Sequence, residues 1–103
     1  MILRMWRAQA SGKNVEAYER HFREHVLPKL RDIPGHQGAS LLRRDTGEFV
    51  ELMVLTTWES MDTIRQFAGD AADTAVVEPE ARAVLDQFDE FVRHYELVVV
   101  AER

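Results

Sequence analysis

A chain of 103 residues, 46% of them hydrophobic and with a formal net charge of −5, has the make-up of one small globular domain. Its 18 acidic against 13 basic side chains leave no footprint for a phosphate backbone, and the local pair Arg43 and Arg44 is too small to change that, so no nucleic-acid partner is expected. Cysteine is absent, which removes disulfide frameworks, thiolate metal sites and thiol nucleophiles.

The N-terminal stretch MILRMWRAQ alternates charge with bulk and has neither a long apolar core nor a small-residue cleavage site. It is therefore expected to be a strand, Ile2 to Gln9, of a soluble cytoplasmic protein that makes no use of a membrane. Ile2, Arg4, Trp6 and Ala8 fall on one face of it and Leu3, Met5, Arg7 and Gln9 on the other. Ser11 to Asn14 is turn chemistry. From Val15 to about Arg31, Val15, Tyr18, Phe22, Val26 and Leu30, with Ile33 beyond, recur at helical spacing. Pro28 lacks an N–H and crowds the preceding turn, so a kink or an early end is expected near Val26 or Leu27, and Pro34-Gly35 closes the segment.

Gln37 to Arg44 is expected to be a second strand, with Gly38 as a bulge, joined through the Asp45-Thr46-Gly47-Glu48 hairpin to the strand that begins at Phe49. In that third strand Phe49, Met53 and Leu55 face one way and Val50, Leu52 and Val54 the other, the pattern of a strand covered on both sides. A helix follows the strand, with Ser60 as its N-cap, Asp62 in its first turn and Gly69 at its end. Asp70 to Val77 favours neither helix nor strand. Pro79 opens a short helix with Ala81, Val84, Leu85 and Phe88 on its inner face, and Phe91 to Ala101 is expected to form the last strand. No repeat or linker divides the chain, so residues 1–103 are taken as one domain.

The order strand, helix, strand, strand, helix, strand implies an α+β, ferredoxin-like domain, a four-stranded antiparallel sheet with helices on one face. Helices cover one face only, yet the third and last strands are apolar on both. A second copy packed sheet to sheet in a two-fold homodimer is the expected cover.

The sheet with two apolar faces and the tryptophan at the strand-to-helix junction, in LTTWES-MDTIRQFAG, resemble the dimeric α+β barrel superfamily, and within it the antibiotic-biosynthesis-monooxygenase-like proteins. Arg4-Met5-Trp6, Leu42-Arg43-Arg44, Phe67-Ala68-Gly69, Ala75-Val76-Val77 with Pro79-Glu80, and His94-Tyr95-Glu96 carry the likeness through nearly the whole chain. The resemblance implies a pocket between helices and sheet, and a range of activities from cofactor-free oxygenation of aromatic polyketides to heme degradation. The heme-degrading branch is marked by an asparagine in strand one, a tryptophan late in the second helix and a histidine about ten residues on. Here strand one has Arg4, Trp6 and Arg7, the late-helix position is Phe67, and Val76-Val77 stands where the histidine would be.

If the first and last strands are antiparallel neighbours, Arg4 and Trp6 share a face with His94 and Glu96. An Arg4–Glu96 pair and a His94 near Trp6 would then give a pocket with an aromatic wall and an imidazole able to deprotonate a phenol or enol. The competing and simpler reading of the same residues is a buried ion pair and a satisfied core histidine where subunits meet. His25 is the alternative base, from a helix edge shared by Tyr18, His21 and His25; the His21–His25 spacing suits a metal, but no HExxH acid or third ligand accompanies it, so no metal is assigned. Tyr18, Trp58 and Phe67 are further pocket candidates, and no nucleotide motif or other cofactor signal is present. Two functions remain open: a dimeric, cofactor-independent oxygenase acting on a small aromatic or polyketide-like molecule, or a binding or stress-related module of the same fold without turnover.

Overall fold

A computed structural model describes residues 1–102. Along the chain run β1 (Ile2–Ala10), α1 (Val15–His21), a π-helical turn (Phe22–Val26), α2 (Leu27–Arg31), β2 (His36–Asp45), β3 (Val50–Trp58), α3 (Met61–Ala68), α4 (Pro79–Arg82), β4 (Gln87–Phe88) and β5 (Arg93–Glu96). The strands form one antiparallel sheet in the order β2-β3-β1, with the short β4 and β5 sharing the outer flank of β1. This is the expected ferredoxin-like α+β arrangement, its fourth strand position divided between two pieces.

Register decides which side chains meet. Arg4 lies opposite Thr56 on one side and His94 on the other, Trp6 lies opposite Val54, and Ala10 lies opposite Val50. Directly opposed residues in an antiparallel pair share a face, so Arg4, Trp6, Ala8 and Ala10 stand with Val50, Leu52, Val54, Thr56 and Trp58 beneath the helices. Leu3, Met5, Met53 and Leu55 stand on the opposite face. Under the helices one apolar cluster joins Ala8, Ala10 and Leu52 to Val15, Tyr18 and Phe22, and a second gathers Leu30, Trp58, Ile64 and Ala72.

Pro28 does not bring the early end expected near Val26 or Leu27; a device that periodicity does not reveal accommodates it. The helical segment continues past it because Phe22–Val26 widens into a π-helical turn, closed by Leu27 N–H bonding the Phe22 carbonyl five residues back. A wider turn relieves the proline's conflict with the preceding carbonyls, and Pro28 then sits in the first turn of α2, where its missing N–H costs nothing.

The last strand is shorter than expected, ending at Glu96 rather than Ala101. Glu96 lies opposite Ile2, the first residue of β1, and Leu97 N–H bonds the Met1 carbonyl. Val98, Val99 and Val100 are left 80%, 80% and 65% exposed. Phe88, expected on the inner face of the fourth helix, instead pairs with Ala8 in β4 because α4 ends at Arg82.

The junction between β3 and α3 is tied by a capping box. Ser60 Oγ accepts from Thr63 N–H at 3.4 Å, and Thr63 Oγ1 accepts from Ser60 N–H at 3.3 Å. Gly35 leans on that same threonine, with φ at +87° and its carbonyl accepting from Glu59 N–H at 2.8 Å. An added Cβ would collide with the Thr63 side chain. Gly35→Ala is therefore expected to lower unfolding stability by about 1–3 kcal/mol, from positive-φ strain together with the disturbed cap; urea denaturation with an unchanged slope checks it, and an unaltered midpoint would contradict it.

Candidate functional site

The side of the sheet under the helices does not close completely. A cleft opens between β1 and β3 below, α1 and its π-helical continuation above, and the irregular chain from Gly69 to Glu78 at the side. Its free space, counted out to the mouth, is about 590 Å³, and the centres of water molecules fit over about 80 Å³ of it. Arg4 and Trp6 enter from β1, Val54 and Thr56 from β3, Tyr18 and His21 from α1, Phe67 from α3, and Val76 to Glu78 from the irregular segment at the side. The lining is mostly hydrocarbon and aromatic, with a few polar groups among it, the usual balance of a small-molecule site.

Arg4 is the most constrained of these groups. It is 5% exposed, and its Nη1 donates to the Ala72 carbonyl at 2.6 Å and lies 3.0 Å from His94 Nε2. Nη2 donates to the Thr74 carbonyl at 3.1 Å. A guanidinium only donates, so His94 Nε2 is the acceptor and the ring proton sits on Nδ1, which donates to Asp73 Oδ1 at 3.1 Å. The result is one chain, Asp73 to His94 to Arg4, with the guanidinium 5.7 Å above the Phe67 ring. Burial draws the Arg4 pKa down to about 10, partly opposed by the Asp73 charge, so the group stays cationic at neutral pH. Burial and then the adjacent Arg4 hold His94 below the ordinary histidine value, against the hydrogen bond and charge of Asp73. At neutral pH His94 is thus a neutral acceptor for the arginine, and its contact with Asp73 is a hydrogen bond rather than an ion pair.

The aromatic wall is similarly fixed. Trp6 donates from Nε1 to the Asp89 carbonyl at 2.8 Å and lies 6.1 Å from Tyr18 and 6.4 Å from Phe88, ring centre to ring centre. Tyr18 is buried, and burial followed by the nearby Glu78 charge raises the pKa of its hydroxyl, which stays neutral.

Of the residues expected at the site, the structure gathers Arg4, Trp6, Tyr18 and Phe67 around the cleft. His94 stands on the same sheet face, as the register argument required, but behind Arg4 and facing a shallow groove with Asp73 and Tyr95. The Arg4–Glu96 pair does not form: Glu96 lies opposite Ile2 and is exposed, and backbone carbonyls take its place beside the arginine. Trp58 is fully buried, donates to Thr56 Oγ1 at 2.8 Å and stacks on Phe67 at 5.4 Å, supporting the cleft wall from behind. His25 is exposed on the π-helical turn, and His21 lines the cleft. The extra residue in that turn shifts every later side chain around the axis, which is why spacing alone favoured the wrong member of the pair. The described residues contain no group of three or more His, Asp or Glu that could hold a metal ion.

The family model described as antibiotic biosynthesis monooxygenase matches residues 1–79. The chain belongs to that family. Among solved structures, the heme-degrader MhuD from Mycobacterium tuberculosis, with two hemes bound in its active site, superimposes with a TM-score of 0.71 at 21% identity over 99% of this chain and 100% of that one. Two proteins named as antibiotic biosynthesis monooxygenases also share the fold. One, from Deinococcus radiodurans, gives a TM-score of 0.65 at 14% identity over 100% and 98% of the two chains, and one from Bacillus cereus gives 0.65 at 15% over 99% and 95%. No curated protein matches the sequence. Within this family member the parts of the cleft from β1, β3, α1 and α3 lie inside the matched span, while Ala81 and Val92 of its lining, and the His94 behind it, lie beyond residue 79.

Burial also holds His36, beside Trp58 on the opposite edge strand of the sheet, below the ordinary histidine value. For both His36 and His94 the unfolded chain takes up the proton first, so their contribution to stability is complete above about pH 6.5 and is lost as pH falls through the lower folded values. The melting temperature is expected to drop between pH 7.5 and 5.5, and His94→Gln to make that drop shallower; an equally steep profile in the variant would remove His94 from the account.

Proposed function

We propose that this family member binds a small aromatic or polyketide-like molecule in the cleft and acts on it as a cofactor-independent monooxygenase. The observation that supports this most is a cationic, buried Arg4 set in an otherwise apolar and aromatic cleft. A buried arginine beside hydrocarbon favours an anionic oxygen on a flat, greasy ligand, since charge-assisted hydrogen bonds gain strength where water is excluded. Phenolate and enolate oxygens fit that description. With dioxygen as oxidant, a phenol would lose its O–H and one ring C–H hydrogen, gain one oxygen atom as a carbonyl and release the other as water. Arg4 would hold the anion formed on deprotonation, and Trp6, Tyr18 and Phe67 would flank the ring. The reading assigns no cofactor, in keeping with Phe67 and Val76-Val77 at the positions where the heme-degrading branch carries its tryptophan and histidine.

Binding without turnover is favoured by a different observation. His94 is engaged on both ring nitrogens and His25 is exposed, so neither candidate base lines the cleft. Oxygen uptake separates the two readings. A panel of hydroxylated aromatics is expected to raise the melting temperature through binding to the native state; consumption of dioxygen with one equivalent of product then marks the oxygenase, stabilisation without uptake marks the binding module, and no stabilisation by any phenol or enol would defeat both.

The working unit is proposed to be a homodimer joined through the sheet face away from the helices. Leu3, Met5, Met53 and Leu55 are incompletely covered there, Leu42 and Tyr95 are 45% and 47% exposed, and the valine run beyond β5 is largely exposed. A second sheet would bury these surfaces together. Light scattering at micromolar concentration is expected to give a dimer, and Leu55→Asp to give a folded monomer; a monomeric wild type would overturn the assembly.

A further inference from the structure

Two titratable groups of the cleft are employed neither in the oxygen-holding role of Arg4 nor in the stacking of the aromatic wall: Glu78, which pairs with Lys29 at 3.5 Å, and His21. His21 is 8% exposed, it lines the cleft, and its Nδ1 is sealed from solvent with no hydrogen-bond partner among the described residues. Native proteins leave few buried polar atoms unpaired, and those they keep call for a missing partner. The neighbouring rings do not supply one: Tyr18 lies 6.0 Å and His25 5.4 Å away, centre to centre, in tilted contact.

Across the cleft Arg4 presents the complementary vacancy. Three of its N–H groups are taken by the Ala72 and Thr74 carbonyls and by His94, which leaves two of the five without a partner among the described residues. The sheet therefore offers donors that cannot accept, and the helix laid over it offers an imidazole nitrogen that can. A flat molecule held between them turns its electron-rich oxygen towards Arg4 and the hydrogen of a hydroxyl towards His21.

We infer that His21 Nδ1 accepts a hydrogen bond from a hydroxyl of the bound ligand, making it the residue that distinguishes a hydroxylated aromatic from its ether or hydrocarbon counterpart. The π-helical turn supports this placement. It begins at Phe22, immediately after His21, and turns His25 out to solvent while His21 stays over the sheet. This selectivity rests on the ligand-binding reading above, and it holds whether or not turnover follows binding. A site built to pair a hydroxyl rejects an analogue that lacks it, because the site's own buried group is then left unpaired.

The test compares 1-naphthol with 1-methoxynaphthalene by direct titration of the intact protein. Wild type is expected to bind the naphthol about tenfold more tightly, the factor of one net hydrogen bond. His21→Phe should bind both alike, with the ether's affinity kept, and His21→Gln, which retains an acceptor oxygen, should recover part of the preference. Circular dichroism verifies that each variant is folded. Independently of any variant, the Nδ1 resonance of ¹⁵N-histidine-labelled wild type should move towards the protonated range with the naphthol and stay in place with the ether. A preference that survives in folded His21→Phe, or an Nδ1 signal indifferent to the naphthol, overturns the role of His21 while leaving the cleft as the binding site. Failure of wild type to bind either compound overturns the cleft reading and this inference with it.

Discussion

Burying one guanidinium determines how this domain is put together on its open side. Arg4 lies on the core face of a central strand, where an unpaired charge would be strongly unfavourable, so the chain must bring acceptors to it. They come from the carbonyls of Ala72 and Thr74, in a stretch with no regular structure of its own, and from the neutral imidazole of His94 on the adjoining strand. The irregular stretch is thereby drawn against the sheet. Thr74 pairs with Phe91, Ala75 N–H donates to the Glu90 carbonyl and Val92 N–H to the Asp73 carbonyl, which extends the sheet's edge along the cleft. Asp73, poorly protected from solvent, enters the network only through the histidine. Position, protonation and loop placement are in this way one coupled problem with the arginine at its centre.

Around that centre the rest of the cleft is shaped by what fails to pack. Trp58 and Ile64 fill the space behind Phe67, and Ala8, Ala10 and Leu52 fill the space under Phe22 and Val15. Between these two clusters the small side chain of Thr56 and the widened helical turn leave room that no large residue occupies. The same proline that obliges the turn to widen thus helps determine which histidine overlooks the gap. Outside, Leu3, Met5, Met53 and Leu55 stand incompletely covered on the face of the sheet away from the cleft, and the valines that follow β5 are exposed.

Much of this was open to a reader of the residues alone. The two-residue period fixed which side chains of β1 and β3 look towards the helices, and the antiparallel ladder brought Arg4 and His94 together because both lie on even positions of strands that must adjoin in this topology. Ser60, Gly69 and Pro79 announced the ends of their helices through local backbone chemistry. The fold and much of the cleft lining, Arg4, Trp6, Tyr18 and Phe67, follow from such short-range rules.

Tertiary structure alone decided the remainder. Glu96 was a natural partner for Arg4 by charge, yet the strand ladder places it one step too far, opposite Ile2, and backbone carbonyls carry no sequence signature that could have announced them instead. The last strand stops at Glu96, opposite the residue where β1 begins, a limit set by its partner and not by its own apolar residues. His21 displaced His25 because one added residue in a helical turn rotates all that follows, and a pattern that assumes a constant pitch cannot register it. Periodicity determines which face a residue occupies; only the folded contacts determine which partner waits there.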